Sequence, residues 1–111
     1  MGGRASKQKG DRFERDLVAA AKVHGLDAKR VPLSGACEGY KHDLEVFNGD
    51  EKWTVEAKKR GSGFRSIRKW LGTGGEDDPD VLIIGSDREK PLAILHADDF
   101  WWLLKRAGKN G

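Results

Sequence analysis

His42-Asp43-Leu44-Glu45-Val46-Phe47, followed by Asn48-Gly49-Asp50-Glu51-Lys52 and then Trp53-Thr54-Val55-Glu56-Ala57-Lys58, is the stretch from which the fold is read. Around Asn48-Gly49-Asp50 the polar and apolar residues alternate with period two, which predicts strands over Asp43 to Phe47 and Trp53 to Lys58 joined as a hairpin. The loop is either Asn48-Gly49 or the longer run Asn48 to Glu51, and both lengths give the same parity of pairing. That parity sets Asp43 opposite Thr54 or Glu56, on the face that also carries Lys58, with Trp53, Val55 and Ala57 on the other face. Two carboxylates and an ammonium group are thereby expected within about 5 to 8 Å of one another across the strands.

Carboxylates that close repel unless a cation sits between them, and hard oxygen ligands on a partly open site suit Mg²⁺, with Mn²⁺ able to substitute. A divalent ion can activate water and offset charge on a phosphate, while Lys58 orients that water or stabilises the developing charge. Taken alone such a triplet is weak, because a solvated face with ordinary ion pairs carries the same residue types. Glu14 adds weight. It falls on one helical stripe with Leu17, Val18 and Ala21, so it is expected to point toward the sheet, where a carboxylate needs a partner.

Outward from the hairpin, the spacing of Phe13, Leu17, Ala20, Ala21 and His24 predicts a helix over Asp11 to His24, stopped by Gly25. Residues 1–9 read as a flexible basic arm, and 10–111 as a single domain. Leu26 to Val31, ending at Pro32, reads as an edge strand leading into the loop Pro32-Leu33-Ser34-Gly35-Ala36. Past the hairpin come a short helix over Arg65 to Leu71, a break at Gly72-Thr73-Gly74-Gly75, and Val81-Leu82-Ile83-Ile84 as a strand buried on both faces. Pro91 to Leu95 gives a further strand, and Asp98 or Asp99 caps a last helix over Phe100 to Ala107. On that helix Phe100, Leu103, Leu104 and Ala107 form the expected core stripe, with Trp102 off it. The order α-β-β-β-α-β-β-α makes an α/β fold, one mixed sheet flanked by helices.

The 111 residues suit one compact core, and 35% charged residues with a net charge of +3 leave a weakly basic chain of pI 9.1. No stretch approaches the roughly 20 apolar residues of a membrane helix, and the basic N-terminus has no apolar run behind it, so a soluble, cytoplasmic protein is expected. Cys37 is the one cysteine, which excludes an internal disulfide, and His24, His42 and His96 lack zinc-ligand spacing with it.

Four successive segments then resemble a known family: Lys9 to Leu17, Arg30 to Gly35, His42 to Val46 and Val55 to Lys58 are similar to the ordered motifs of archaeal-type Holliday junction resolvases, within the PD-(D/E)xK nuclease superfamily. From about Arg60 onward only the element pattern is alike. The resemblance implies a restriction-endonuclease-like fold and metal ligation by Glu14, Asp43 and Glu56. It further implies that Lys58 assists the attacking water, that Ser34 positions the scissile phosphate, and that a homodimer cuts two strands of a four-way junction. His42 stands where the superfamily pattern has proline. Pro79-Asp80 is a decoy, since no acid-x-lysine triplet follows it.

Lys9, Arg12, Arg30, Lys59, Arg60, Arg65, Arg68 and Lys69 surround these elements and are the expected contacts to the phosphates of branched double-stranded DNA, in the nucleoid or in viral DNA. Exposed Trp102 beside Trp101 suits self-association. The expected activity is metal-dependent hydrolysis of junction DNA. A related nuclease of restriction or replication-repair type, or a non-catalytic nucleic-acid binder on this fold, are the alternatives.

Overall fold

The computed structural model describes residues 2–32 and 42–109, with side chains over 10–32 and 42–108. Its element order is α1 (Gly2–Val23), β1 (Asp27–Arg30), β2 (Leu44–Asn48), β3 (Glu51–Val55), α2 (Arg65–Leu71), β4 (Leu82–Ile84), β5 (Leu92–Ile94) and α3 (Ala97–Lys109). The α/β class and the order of elements are as the sequence reads. The strands divide differently: β1-β2-β3 form one antiparallel sheet and β4-β5 a second, where one mixed sheet was expected. The chain correspondingly separates into two compact units, Met1–Lys59 with Trp101–Gly111, and Arg60–Phe100.

In the first unit α1 begins at Gly2, inside the stretch expected as a flexible arm. Ala, Lys, Gln and Arg there are good helix formers, so the backbone continues the helix that starts the core. Its other end stops where Gly25 predicts. Gly25 takes φ 86, its N–H bonds the Lys22 carbonyl at 2.9 Å, and the Leu26 N–H bonds the Ala21 carbonyl at 3.1 Å. These two bonds are a Schellman closure, with Ala21 and Leu26 both buried beside it. The chain therefore turns directly into β1, and α1 packs on β1 and β2.

β2 is the central strand, flanked antiparallel by β1 and β3, with pairs Arg30↔Leu44, Leu44↔Val55 and Asn48↔Glu51. Leu44 and Val46 are fully buried with Ala28, so this face forms the core with Ala21, Leu26, Trp101 and Leu104. The parity of the hairpin is the expected one. Its turn is Gly49-Asp50, with Gly49 at φ 63 in the first central position, as a type II′ turn requires. Asn48 is therefore a strand residue: it is buried, and its side-chain amide donates to the Leu104 carbonyl of α3.

That bond also sets the inward face of α3. Trp101 and Leu104 are buried, whereas Leu103 and Trp102 are about half exposed, so Trp101 takes the core position expected of Leu103. Lys105 Nζ reinforces the same face by donating to the Gly25 carbonyl at 3.2 Å. The Arg106 guanidinium lies 4.8 Å from the Trp102 ring centroid on the outer side. α3 starts at Ala97, earlier than expected, because the His96 carbonyl accepts from the Asp99 and Phe100 N–H groups. Asp98 and Asp99 then sit in its first turn, the favourable end of the helix dipole.

Gly108 follows from the same contact, since a Cβ there would overlap the Asn48 amide. Gly108→Ala would gain about 1 kcal/mol of helix propensity. Displacing a buried amide from its carbonyl costs about 1–3 kcal/mol, and overpacking costs a similar amount, so the loss wins. We expect a net destabilisation of about 1–5 kcal/mol, read as a lower urea midpoint at unchanged slope.

In the second unit α2 packs on β4 and ends at Gly72, whose N–H bonds the Arg68 carbonyl at 2.8 Å. The Asp78 carboxylate fills the space beside Gly72 and accepts from the Thr73 and Gly75 N–H groups at 3.0 and 2.9 Å. β4 is not buried on both faces as its apolar run predicts. Ile83 is 62% exposed, because among the described residues β4 has β5 as its one strand partner and α2 covers a single side of the pair. Among the described residues no helix is long and apolar enough to cross a membrane.

Candidate active site

Asp43 is tied to both neighbouring strands just before β2 begins. The Val31 N–H donates to its carbonyl at 2.9 Å, and its own N–H donates to the Val55 carbonyl at 3.1 Å. The second bond falls one residue out of the register that pairs Leu44 with Val55. Here the Asp43 side chain takes over from the backbone: its Oδ2 accepts from the Ala57 N–H at 2.8 Å. That carboxylate supplies the acceptor that a continuing strand would have supplied, so β3 ends at Val55 and not at Lys58. Asp43 is consequently fixed against the segment Glu56-Ala57-Lys58.

Beyond the end of β3, Glu56 and Lys58 project to a common side and pair with each other, Lys58 Nζ to Glu56 Oε2 at 3.2 Å. Successive alternate residues of an extended chain share a side, so Ala57 between them faces away. Both side chains are open to water, 49% and 74% exposed. An exposed pair of this kind is worth about 0–1 kcal/mol, so a stronger cation can take Glu56 at little cost.

Glu14 does face the sheet, with its side chain 18% exposed, and its partner is Arg30. Arg30 Nε donates to Glu14 Oε1 at 3.0 Å, and Arg30 Nη2 donates to Asp11 Oδ1 at 2.9 Å. The structure thus brings Asp43 together with the Glu56-Lys58 segment, and Glu14 together with Asp11 and Arg30. Among the described residues no three His, Cys, Asp or Glu side chains stand together as a metal-holding group. For a divalent ion the donor chemistry of Asp43 and Glu56 fits: both carry hard carboxylate oxygens, Asp43 is bonded to the backbone next to Glu56, and the Glu56 side chain is half exposed. Glu14 fits as a third donor only on leaving Arg30.

Asp11 was not singled out by sequence reasoning, nor was Arg30 as a partner of Glu14. The available signal was the spacing, since Asp11 precedes Glu14 by three residues and shares its helix face. The Ala57 N–H had no signal, because a backbone group leaves none in the sequence. Ser34 lies outside the described residues, as does the side chain of Lys9.

The remaining expected DNA contacts belong to two sets. In the first unit Arg12 is exposed and Lys59 Nζ lies 5.3 Å from the Phe13 ring centroid. Arg30, in contrast, is engaged by two acids and stands only 36% exposed. In the second unit Arg65, Arg68 and Lys69 are exposed on α2, and the Arg60 guanidinium lies 5.5 Å from the Phe64 ring centroid. Phe64, just before α2, has φ 56, a left-handed conformation uncommon for a bulky residue.

The family model of the archaeal Holliday junction resolvases matches the chain over residues 5–69. That span is more than half of the chain and contains Glu14, Asp43, Glu56 and Lys58. No curated protein and no solved structure matches.

Proposed function

This chain belongs to the archaeal Holliday junction resolvase family, and from that membership we propose that it is a structure-specific endonuclease that hydrolyses phosphodiesters of four-way DNA junctions. The observation that carries the reading to particular atoms is the bond from the Ala57 N–H to the Asp43 carboxylate. It ties the Asp43 carboxylate to the backbone between Glu56 and Lys58, which supports reading these three residues as one hydrolytic set.

Asp43 and Glu56 would hold Mg²⁺ or Mn²⁺, with Glu14 as the further ligand. When bound, such an ion offsets charge on the phosphate and makes water reactive at neutral pH. Lys58 has three N–H donors and no acceptor, so its ammonium donates to the attacking water or to a phosphate oxygen. The water oxygen bonds to phosphorus and releases a proton to solvent, the bond from phosphorus to the sugar oxygen breaks and that oxygen takes up a proton from solvent, and Lys58 counters the negative charge that builds on the phosphate. Ser34, on the segment after β1, is the proposed contact that positions the scissile phosphate.

Arg12, Lys59, Arg60, Arg65, Arg68 and Lys69 would engage phosphates, with Lys9 as a further contact. Contacts of that kind hold the duplex in place without reading bases, which suits selection by DNA shape. A homodimer would supply one site to each of two symmetric strands, and half-exposed Trp102 supports a self-association surface.

Cleavage of four-way, flapped and linear duplexes of the same sequence tests the substrate. A preference for the four-way junction of on the order of tenfold or more is expected, equivalent to roughly 1.4 kcal/mol. Equal cleavage of all three would assign the centre to a nuclease of another type. Sedimentation of the free protein should give the mass of two chains.

A further inference from the structure

The Asp11, Arg30 and Glu14 cluster is unusual in that one guanidinium serves two acids through different nitrogens. Nε holds Glu14 and Nη2 holds Asp11, at 3.0 and 2.9 Å, so each bond can break without the other. We propose that Asp11 and Arg30 form a built-in counter-ion relay: Arg30 holds Glu14 while no divalent ion is bound, and Asp11 keeps Arg30 paired when Glu14 turns to one. The proposal rests on Glu14 being a cation ligand.

All three groups are part-buried, with side chains 34%, 36% and 18% exposed for Asp11, Arg30 and Glu14. A guanidinium in that setting cannot lose its proton and is costly to leave unpaired. If Glu14 were its single partner, moving Glu14 to a cation would strand the charge. Asp11 removes this penalty, because it lies on the same face of α1 and needs no rearrangement to keep its bond. The planar fork matters, since an ammonium could not hold two acids in fixed directions.

The cluster is also joined to the proposed centre through the backbone. Arg30 pairs with Leu44 across the β1–β2 ladder, and the next residue, Val31, donates its N–H to the Asp43 carbonyl. The residue that holds Glu14 is thus one step from the bond that anchors Asp43. Arg30 is a positioning residue in this account, acting through Glu14.

The test is calorimetric titration of the DNA-free, full chain with Mn²⁺, on the natural protein and on Glu14→Gln, Arg30→Gln, Arg30→Lys and Asp11→Asn, each checked by circular dichroism. Arg30→Gln removes the competitor for Glu14 and should tighten Mn²⁺ binding, whereas Asp11→Asn strands the guanidinium and should weaken it, each on the order of fivefold or more. The double variant Asp11→Asn/Arg30→Gln should bind as Arg30→Gln does, because Asp11 acts only through Arg30. Arg30→Lys should weaken binding as Asp11→Asn does, and it serves in place of Arg30→Gln if that variant fails to fold. Weakening by Glu14→Gln without any response to the Asp11 and Arg30 changes overturns the relay alone. Binding unmoved by Glu14→Gln overturns both the relay and the ligand role it rests on. Weakening by Asp11→Asn that persists in the double variant makes Asp11 a ligand in its own right and also overturns the relay.

Discussion

Asp43→Ala should lower junction cleavage on the order of 10²-fold or more and also destabilise the protein, for two separable reasons. The first is loss of a proposed cation ligand. The second is structural, because the Asp43 carboxylate is the acceptor for the Ala57 N–H at 2.8 Å. Leaving that donor without its acceptor costs about 1–3 kcal/mol and frees the Glu56-Lys58 segment from β2. Asp43→Asn separates the two effects. Its amide oxygen can still accept from Ala57, so urea stability should stay within about 1 kcal/mol of the natural protein. Cleavage should still be lost, since a neutral amide is a poor ligand for a hard cation. Single-turnover cleavage alongside urea denaturation distinguishes the cases, and an Asp43→Asn variant that cuts at the natural rate would contradict the assignment.

Leu44→Ala should be among the most destabilising single changes in the first unit. Leu44 is fully buried, faces Val55 on one strand and Arg30 on the other, and directly follows Asp43. Truncation in such a position costs about 2–5 kcal/mol, through lost burial and the cavity left behind. That is a large share of the roughly 5–15 kcal/mol that keeps a domain folded. Leu44→Ile, which keeps the volume, should cost below about 1.5 kcal/mol. Equilibrium urea unfolding reads both, and a Leu44→Ala midpoint equal to the natural one would show that the β2 face is not the core.

The hairpin was legible because parity survives uncertainty in the turn: either loop length leaves Asp43 on the side of Glu56 and Lys58. The ends of its strands were not legible. Alternation continues through Glu56 and Lys58, but the ladder stops at Val55 because the Asp43 side chain reaches the Ala57 N–H, a contact distant in sequence. The end of α1 was readable, since Gly25 is the residue that a left-handed closure favours.

The face of α3 was not readable from periodicity. Phe100, Trp101, Trp102, Leu103 and Leu104 are consecutive and all apolar, so several stripes satisfy helical spacing equally well. A buried amide on β2 selects among them through its bond to Leu104. Similarly, the inward direction of Glu14 follows from Leu17, Val18 and Ala21, but its partner lies sixteen residues away on another element. Val81-Leu82-Ile83-Ile84 reads as doubly buried because apolar runs do not reveal how many strands will flank them.

The proposed activity depends most on Asp43, Glu56 and Lys58 working as one hydrolytic centre on branched DNA. Its most direct measurement is incubation of a synthetic four-way junction with the full chain and Mg²⁺, beside Glu56→Ala. Paired nicks at symmetric positions in two opposing strands, dependent on the added ion and absent with Glu56→Ala, are the expected result. A junction left intact by the natural protein, or nicked equally by Glu56→Ala, would contradict it.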